Sequence, residues 1–139
     1  MVKRSLWWAI ILLVILGSGL AACGKDKTPA SYTTLSVQKA YDQLRQSRDA
    51  LIVDVRNPDE WATTGVLPGA TLIPLPEFEQ RAPRELSKDR PIYVICNSGN
   101  RSRAASDILI KLGYKHVFNI DGGIQAWLSA GLPVVPYTA

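Results

Sequence analysis

The chain has 139 residues, enough for one domain with a core of its own, and its formal charge of +4 falls to +2 once Lys3 and Arg4 are set aside. No basic run suited to nucleic acid is present, so that class of partner is excluded, and the mild positive balance favours small anions at most. Two cysteines and one histidine do not make a ligand set, so neither a metal nor any other cofactor is expected.

The first element in chain order is a leader. Met1 to Arg4 is basic, Leu6 to Leu16 ("LWWAIILLVIL") is almost wholly apolar, and "GSGLAAC" ends in small residues at Cys23. This is the order of a secretory signal. "LAAC", Leu20 to Cys23, resembles a bacterial lipobox, in which cleavage falls before the cysteine and the cysteine carries lipid. The reading makes 1–22 a lipoprotein signal peptide, Cys23 the lipidation site, 23–32 a lipidated tether and 33–135 the folded domain. The polar composition of "KDKTPASYTT" (25–34), with Pro29, extends the tether-like character to Thr34. The alternative is an uncut membrane helix, but Trp7 to Ala22 is near the lower limit for spanning about 30 Å of hydrocarbon. Either way the domain sits outside the cytoplasm, anchored at the bacterial cell envelope and facing the periplasm in a cell with two membranes. Gly24 after the cysteine points to outer-membrane sorting in such a cell.

A lipidated Cys23 cannot form a disulfide. Cys96 is then a single thiol in an oxidising compartment, where structural cysteines usually come in pairs.

The domain alternates helix and strand signals. Ser36 caps a helix through about Ser47, with Val37, Ala40, Tyr41 and Leu44 on one face. "ALIVDV" (50–55) is a continuous apolar run, as expected of a buried parallel strand. Asn57 and Pro58 start a short helix through Trp61. "GATLIPL" (69–75) is a second strand, Glu77 to Arg84 a short helix, and "PIYVIC" (91–96) a third strand. Arg101 to Leu112 carries Ala104, Ala105, Ile108, Leu109 and Leu112 at helical spacing, with Gly113 to close it. "HVFNI" (116–120) is a fourth strand, and Gly123 to Ala130 a last helix ended by Gly131 and Pro133. The alternation predicts an α/β fold with a central, mostly parallel sheet flanked by helices. Ligands of such sheets bind beyond the carboxyl ends of strands, which is where Cys96 stands.

Cys96 opens the loop "CNSGNRS" (96–102) ahead of a helix. A thiol is a nucleophile only as thiolate, and the unpartnered N–H groups and dipole of a helix N-terminus favour negative charge. Gly99 allows successive N–H groups to turn inward as a nest, and Arg101 and Arg103 add positive charge at the rim if they point that way. The loop suits a thiolate, a persulfide or a bound oxyanion. The plainer reading is a small buried apolar residue ending a strand. The loop and the missing partner cysteine weigh against it.

"CNSGNRS" resembles the C-x-x-G-x-R-S active-site loop of the rhodanese, or sulfurtransferase, family. "LIVDVRNPDEWATTGVLPGA" (51–70) is similar to that family's first signature, and "GYKHVFNIDGGIQAW" (113–127), with Gly122 and Gly123, to its last. The resemblance covers about residues 33 to 135. It implies a parallel sheet between helices and a cysteine that takes a sulfane sulfur from a small sulfur-containing anion such as thiosulfate. The resulting persulfide passes its sulfur to cyanide, to a thioredoxin-like dithiol or to another thiol. Carried onto this chain, Cys96 is the catalytic sulfur carrier. Asn97, Ser98, Gly99, Asn100, Arg101 and Ser102 form the substrate-binding cradle. The chain departs from the family at "GVLPGA", with Val66 where histidine is common; the position reads as structural.

Other residues have open or modest roles. Asp54 and Arg56 either reach the site or form an ion-pair network with Asp59 or Glu60. Arg101 is an oxyanion ligand or a loop brace. Trp127 reads as core, His116 as surface, and Asp121 as a turn or helix cap. Two rival functions remain. A cysteine-dependent phosphatase would need five residues between cysteine and arginine; here Cys96 and Arg101 have four. A rhodanese-like module that recruits a partner without chemistry often lacks the cysteine that this chain keeps.

Overall fold

The computed structural model describes residues 30–139, so the leader and Cys23 lie outside the described residues. The elements are β1 (Thr33–Leu35), α1 (Val37–Gln46), β2 (Leu51–Asp54), α2 (Pro58–Thr64), β3 (Thr71–Leu72), α3 (Leu75–Glu85), β4 (Ile92–Ile95), α4 (Asn100–Lys111), β5 (Val117–Ile120) and α5 (Gly123–Ser129). The strands form one sheet in the order β1-β5-β4-β2-β3, and every neighbouring pair is parallel. This is the expected α/β architecture, with helices on both faces.

The central strand shows why. Along β4 the side chains alternate: Ile92, Val94 and then Cys96 join the core under α3 and α4, and Tyr93 and Ile95 join the core under α1 and α5. Both faces are buried, so the strand reads as an unbroken apolar run. Each fully buried Ile or Val contributes about 1.5–3 kcal/mol of transfer free energy. On α1 the expected face is the one that packs: Ala40 is fully buried, and Val37, Tyr41 and Leu44 lie partly buried against the same core. Ser36 caps that helix, its side chain accepting from the Lys39 N–H. Leu112 ends α4, and Gly113 follows with φ +88°, a left-handed conformation that glycine adopts readily.

Four elements differ from the sequence reading. The sequence assigns no strand over 33–35, where the polar composition of 25–34 ends, yet Thr33 to Leu35 pairs with Phe118 to Ile120 as β1. Its apolar signal is weak because only Leu35 is buried and the strand lies at the sheet edge. The strand expected over 69–75 shrinks to Thr71 and Leu72, because Pro74 has no N–H and leads into α3 two residues earlier than expected. α2 continues past Trp61 to Thr64. There the hydroxyls of Thr63 and Thr64 donate back to the Asp59 and Glu60 carbonyls at 2.8 and 3.0 Å.

Val66 does behave structurally. It is buried, and its N–H and carbonyl pair with Val135 in a short antiparallel bridge. The Tyr137 ring packs against Trp61 at 5.5 Å, tilted by 59°, so the C-terminal segment holds α2 against the domain.

Candidate active site

The site begins with the stop of β4. Cys96 follows the last strand residue, and four residues later α4 begins. Gly99, the N-cap of α4, has φ +105°, which turns its N–H back toward the sulfur. That N–H donates to Cys96 Sγ at 3.1 Å. The thiol in turn reaches Ser102 Oγ at 3.4 Å, and the Ser102 hydroxyl donates to the Gly99 carbonyl at 3.1 Å. A side chain at Gly99 would be strained in this region of backbone space, so the glycine is what lets the amide face the thiol. Cys96 is 1 % exposed, a thiol enclosed by its own loop. The Gly99 N–H and the N-terminus of a twelve-residue helix face the sulfur, the side of the loop that favours negative charge, while the Ser102 hydroxyl accepts from the thiol.

The other loop residues fall into two groups. Gly99 and Ser102 are buried around the sulfur, whereas Ser98 and Asn100 are exposed on the outer rim and Asn97 is half-buried. The inner side of the loop rests on α5. Ile124 N–H donates to the Cys96 carbonyl at 2.8 Å, and Gln125 N–H to the Asn97 carbonyl at 3.2 Å. Such close approach of helix to loop requires Gly123. A Cβ there would collide with the Cys96 carbonyl oxygen and stand 2.5 Å from the Asn97 carbonyl carbon and oxygen.

The loop arginines are engaged. Arg101 Nη1 and Nη2 donate to Glu60 Oε2 and Oε1 at 2.7 and 2.6 Å, a bidentate pair joining α4 to α2. The hydrogen bonds from Arg101 are the main cause that holds the Glu60 carboxyl at about 2; the Asn57 N–H assists and burial opposes. The contribution of this depressed acid to stability is full above the free carboxyl value of 4.5 and is lost as pH falls toward about 2, so the pair stays ionised at neutral pH. Glu60 likewise holds the Arg101 guanidinium above its ordinary value, with smaller contributions from Cys96 and Asp54. Arg103 Nε donates to the Gly99 carbonyl at 3.0 Å and Nη2 to Asn100 Oδ1 at 3.3 Å.

Asp54 and Arg56 form the structural pair, although with different partners from those expected. Both are fully buried, and Arg56 donates to the Asp54 carboxylate at 2.6 to 3.0 Å, to Thr64 Oγ1 at 2.7 Å and to the Gly65 carbonyl at 2.8 Å. Neither the Asp59 nor the Glu60 carboxylate completes it; Glu60 offers Arg56 only its backbone carbonyl, at 3.4 Å. The pair fixes the β2–α2 turn, and so fixes where Glu60 stands. Trp127 is core, its Nε1 donating to the Pro133 carbonyl. His116 is exposed, and Asp121 lies in the turn before α5, whose N-cap is Gly122.

Sequence reasoning missed the partnership of Glu60 with Arg101 and the seat provided by Gly123. The first joins residues 41 apart and leaves no local signal. The second was visible as a glycine pair opening a helix, although the pattern does not say what the helix approaches.

A family model described as "Rhodanese-like domain" matches residues 36–130. A sulfurtransferase from Allochromatium vinosum is 41 % identical over 93 residues, covering 67 % of this chain and 85 % of that protein. The thiosulfate sulfurtransferase GlpE of Tolumonas auensis is 32 % identical over 112 residues, covering 79 % and 97 %. Among solved structures, a rhodanese-related protein from Thermoplasma volcanium superimposes with a TM-score of 0.68 at 32 % identity, covering 76 % of this chain and 100 % of that one.

Proposed function

This chain belongs to the rhodanese-like family, and from that premise we propose that it is a sulfurtransferase acting through a persulfide on Cys96. The observation that carries the reading is the Gly99 N–H aimed at Cys96 Sγ at 3.1 Å, at the head of α4. With thiosulfate as donor, the Cys96 thiolate attacks the outer sulfur. The new bond is Cys96 Sγ–S; the bond that breaks is S–S of thiosulfate, and sulfite leaves with its electron pair. The product Cys–S–S⁻ keeps the single negative charge and is held by charge-assisted N–H bonds. Gly99, Arg101, Ser102 and the backbone of Asn97, Ser98 and Asn100 are the groups that surround it. Cyanide or a thiol then takes the outer sulfur and regenerates the thiolate, so steady-state kinetics are ping-pong.

The test is the mass of the protein after thiosulfate treatment, with peptide analysis to locate the change. One added sulfur atom on Cys96, removed by cyanide with formation of thiocyanate, is the expected result. An unchanged mass after several sulfane donors, with no thiocyanate, overturns the reading and leaves a rhodanese-like binding module in its place.

We also propose that the domain is held at the cell envelope through lipid on Cys23, on the strength of "LAAC" behind an apolar run. Cys23→Ala is expected to abolish incorporation of a tagged fatty acid and to leave the leader uncut. Equal labelling of the variant and the parent chain rules out the lipid anchor.

A further inference from the structure

The rim of the pocket is less positive than its sequence implies. Of the two loop arginines, Arg101 has both terminal nitrogens on the Glu60 carboxylate. Arg103 keeps its charge, but on the exposed side of the first turn of α4, against the Gly99 carbonyl and Asn100. Glu60 also lines a cleft of about 240 Å³, whose other walls are Arg56, Asp59, Thr63, Thr64 and Asn97. Asn97, the residue after Cys96, belongs to the sulfur loop, so the cleft reaches that loop although the buried Cys96 does not line it, and it carries a second carboxylate, Asp59. The guanidinium of Arg56 adds no free charge there, because Asp54 neutralises it. An anion arriving from this side meets two arginines already paired with carboxylates, Arg56 and Arg101, and one further acid, Asp59.

We propose that Glu60 determines donor specificity: it cancels the Arg101 charge at the mouth, so the site disfavours dianionic donors relative to donors with a single negative charge. This rests on the sulfur-transfer reading. The matched probes are thiosulfate, a dianion, and an alkyl thiosulfonate, R–SO₂–S⁻, a monoanion. Both deliver the same outer sulfur to the Cys96 thiolate. The first releases sulfite and the second a sulfinate, with one S–S bond formed and one broken in each case. An alkyl persulfide with an uncharged R group, R–S–S⁻, carries one charge and belongs to the favoured class. Glu60→Gln changes the pair from neutral to singly positive. It leaves an amide oxygen for Arg101, and therefore most of the brace between α2 and α4.

The experiment has two readouts at constant low ionic strength, where surface charge is least screened. The first needs no sulfur transfer. Alkylation of Cys96 in the full chain is followed by peptide mass, with iodoacetate (an anion) and iodoacetamide (neutral). Glu60→Gln is expected to raise the ratio of the two rates by about threefold to fivefold, the scale of an incompletely buried charge. The Glu60→Gln/Arg101→Gln double variant is expected to return the ratio to that of the parent chain. The second readout is KM, which should fall for thiosulfate relative to the thiosulfonate by a similar factor in Glu60→Gln. A ratio that does not move, or an equal loss with both reagents and both donors, overturns the proposal and reduces Glu60 to a brace. If the alkylation ratio moves as expected but neither donor loads sulfur on any variant, the electrostatic role of Glu60 stands and the sulfur-transfer reading falls.

Discussion

Cys96→Ser is expected to remove sulfur transfer while leaving the fold in place. The hydroxyl would occupy the position of the thiol, within reach of the Gly99 N–H and the Ser102 hydroxyl. The buried site keeps partners for it, so the stability cost is about 1–2 kcal/mol. The chemistry has no such substitute. A serine hydroxyl would have to ionise, and an alkoxide is a far poorer match for a sulfane sulfur than a thiolate. The loss should exceed roughly 10⁴-fold, the scale on which removing a covalent nucleophile acts. Thiocyanate formation from thiosulfate and cyanide measures the rate, and thermal unfolding measures the fold. A variant that still turns over at a tenth of the parent rate would show that Cys96 does not carry the sulfur.

Gly123→Ala is expected to damage both stability and transfer. The added methyl would meet the Cys96 carbonyl oxygen and lie 2.5 Å from two Asn97 atoms, all of them backbone that cannot rotate away. The residue also has φ +59°, in the left-handed region that an L side chain adopts at a cost. Overpacking of about 1–3 kcal/mol and backbone strain of about 1–3 kcal/mol together predict a loss of about 2–6 kcal/mol. The Ile124 and Gln125 hydrogen bonds to the loop would break or lengthen, and the Gly99 amide would no longer face the sulfur. Gly131→Ala is the control. It has φ +68° with nothing within 4 Å of the new Cβ, so it reports strain without collision. Denaturant unfolding and transfer rates of the two variants separate the effects. Equal losses in both would show that the approach of α5 to the loop does not matter.

The fold was legible where side-chain periodicity and burial agree. β4 and α4 could be read to within a residue because one is apolar throughout and the other carries a clear helical stripe ending at Gly113. β1 was not legible because an edge strand of three residues with one buried side chain, Leu35, looks like the end of a polar linker. In the site, Cys96, Gly99 and Ser102 could be found because the loop is contiguous in the chain. The identity of the residue holding Arg101 could not. Glu60 was weighed as a partner for Arg56, its near neighbour in sequence, but the strand-end carboxylate of Asp54 takes that guanidinium and leaves Glu60 to α4. Proximity in sequence is a poor guide when the sheet sets two loop ends side by side.

The bonds from α5 also give the sulfur loop two mechanically different sides. Cys96 and Asn97 are fastened through their carbonyls to the Ile124 and Gln125 amides, whereas Ser98 and Asn100 face solvent. An extra atom on Sγ cannot be accommodated by sinking the loop, since Gly123 already leaves no room beneath it. The room has to come from the outer half, through small rotations of the peptides around Gly99. Amide exchange would register the division. If Cys96 is loaded as proposed, the protons of Ile124 and Gln125 are expected to exchange unchanged and the proton of Gly99 to exchange differently.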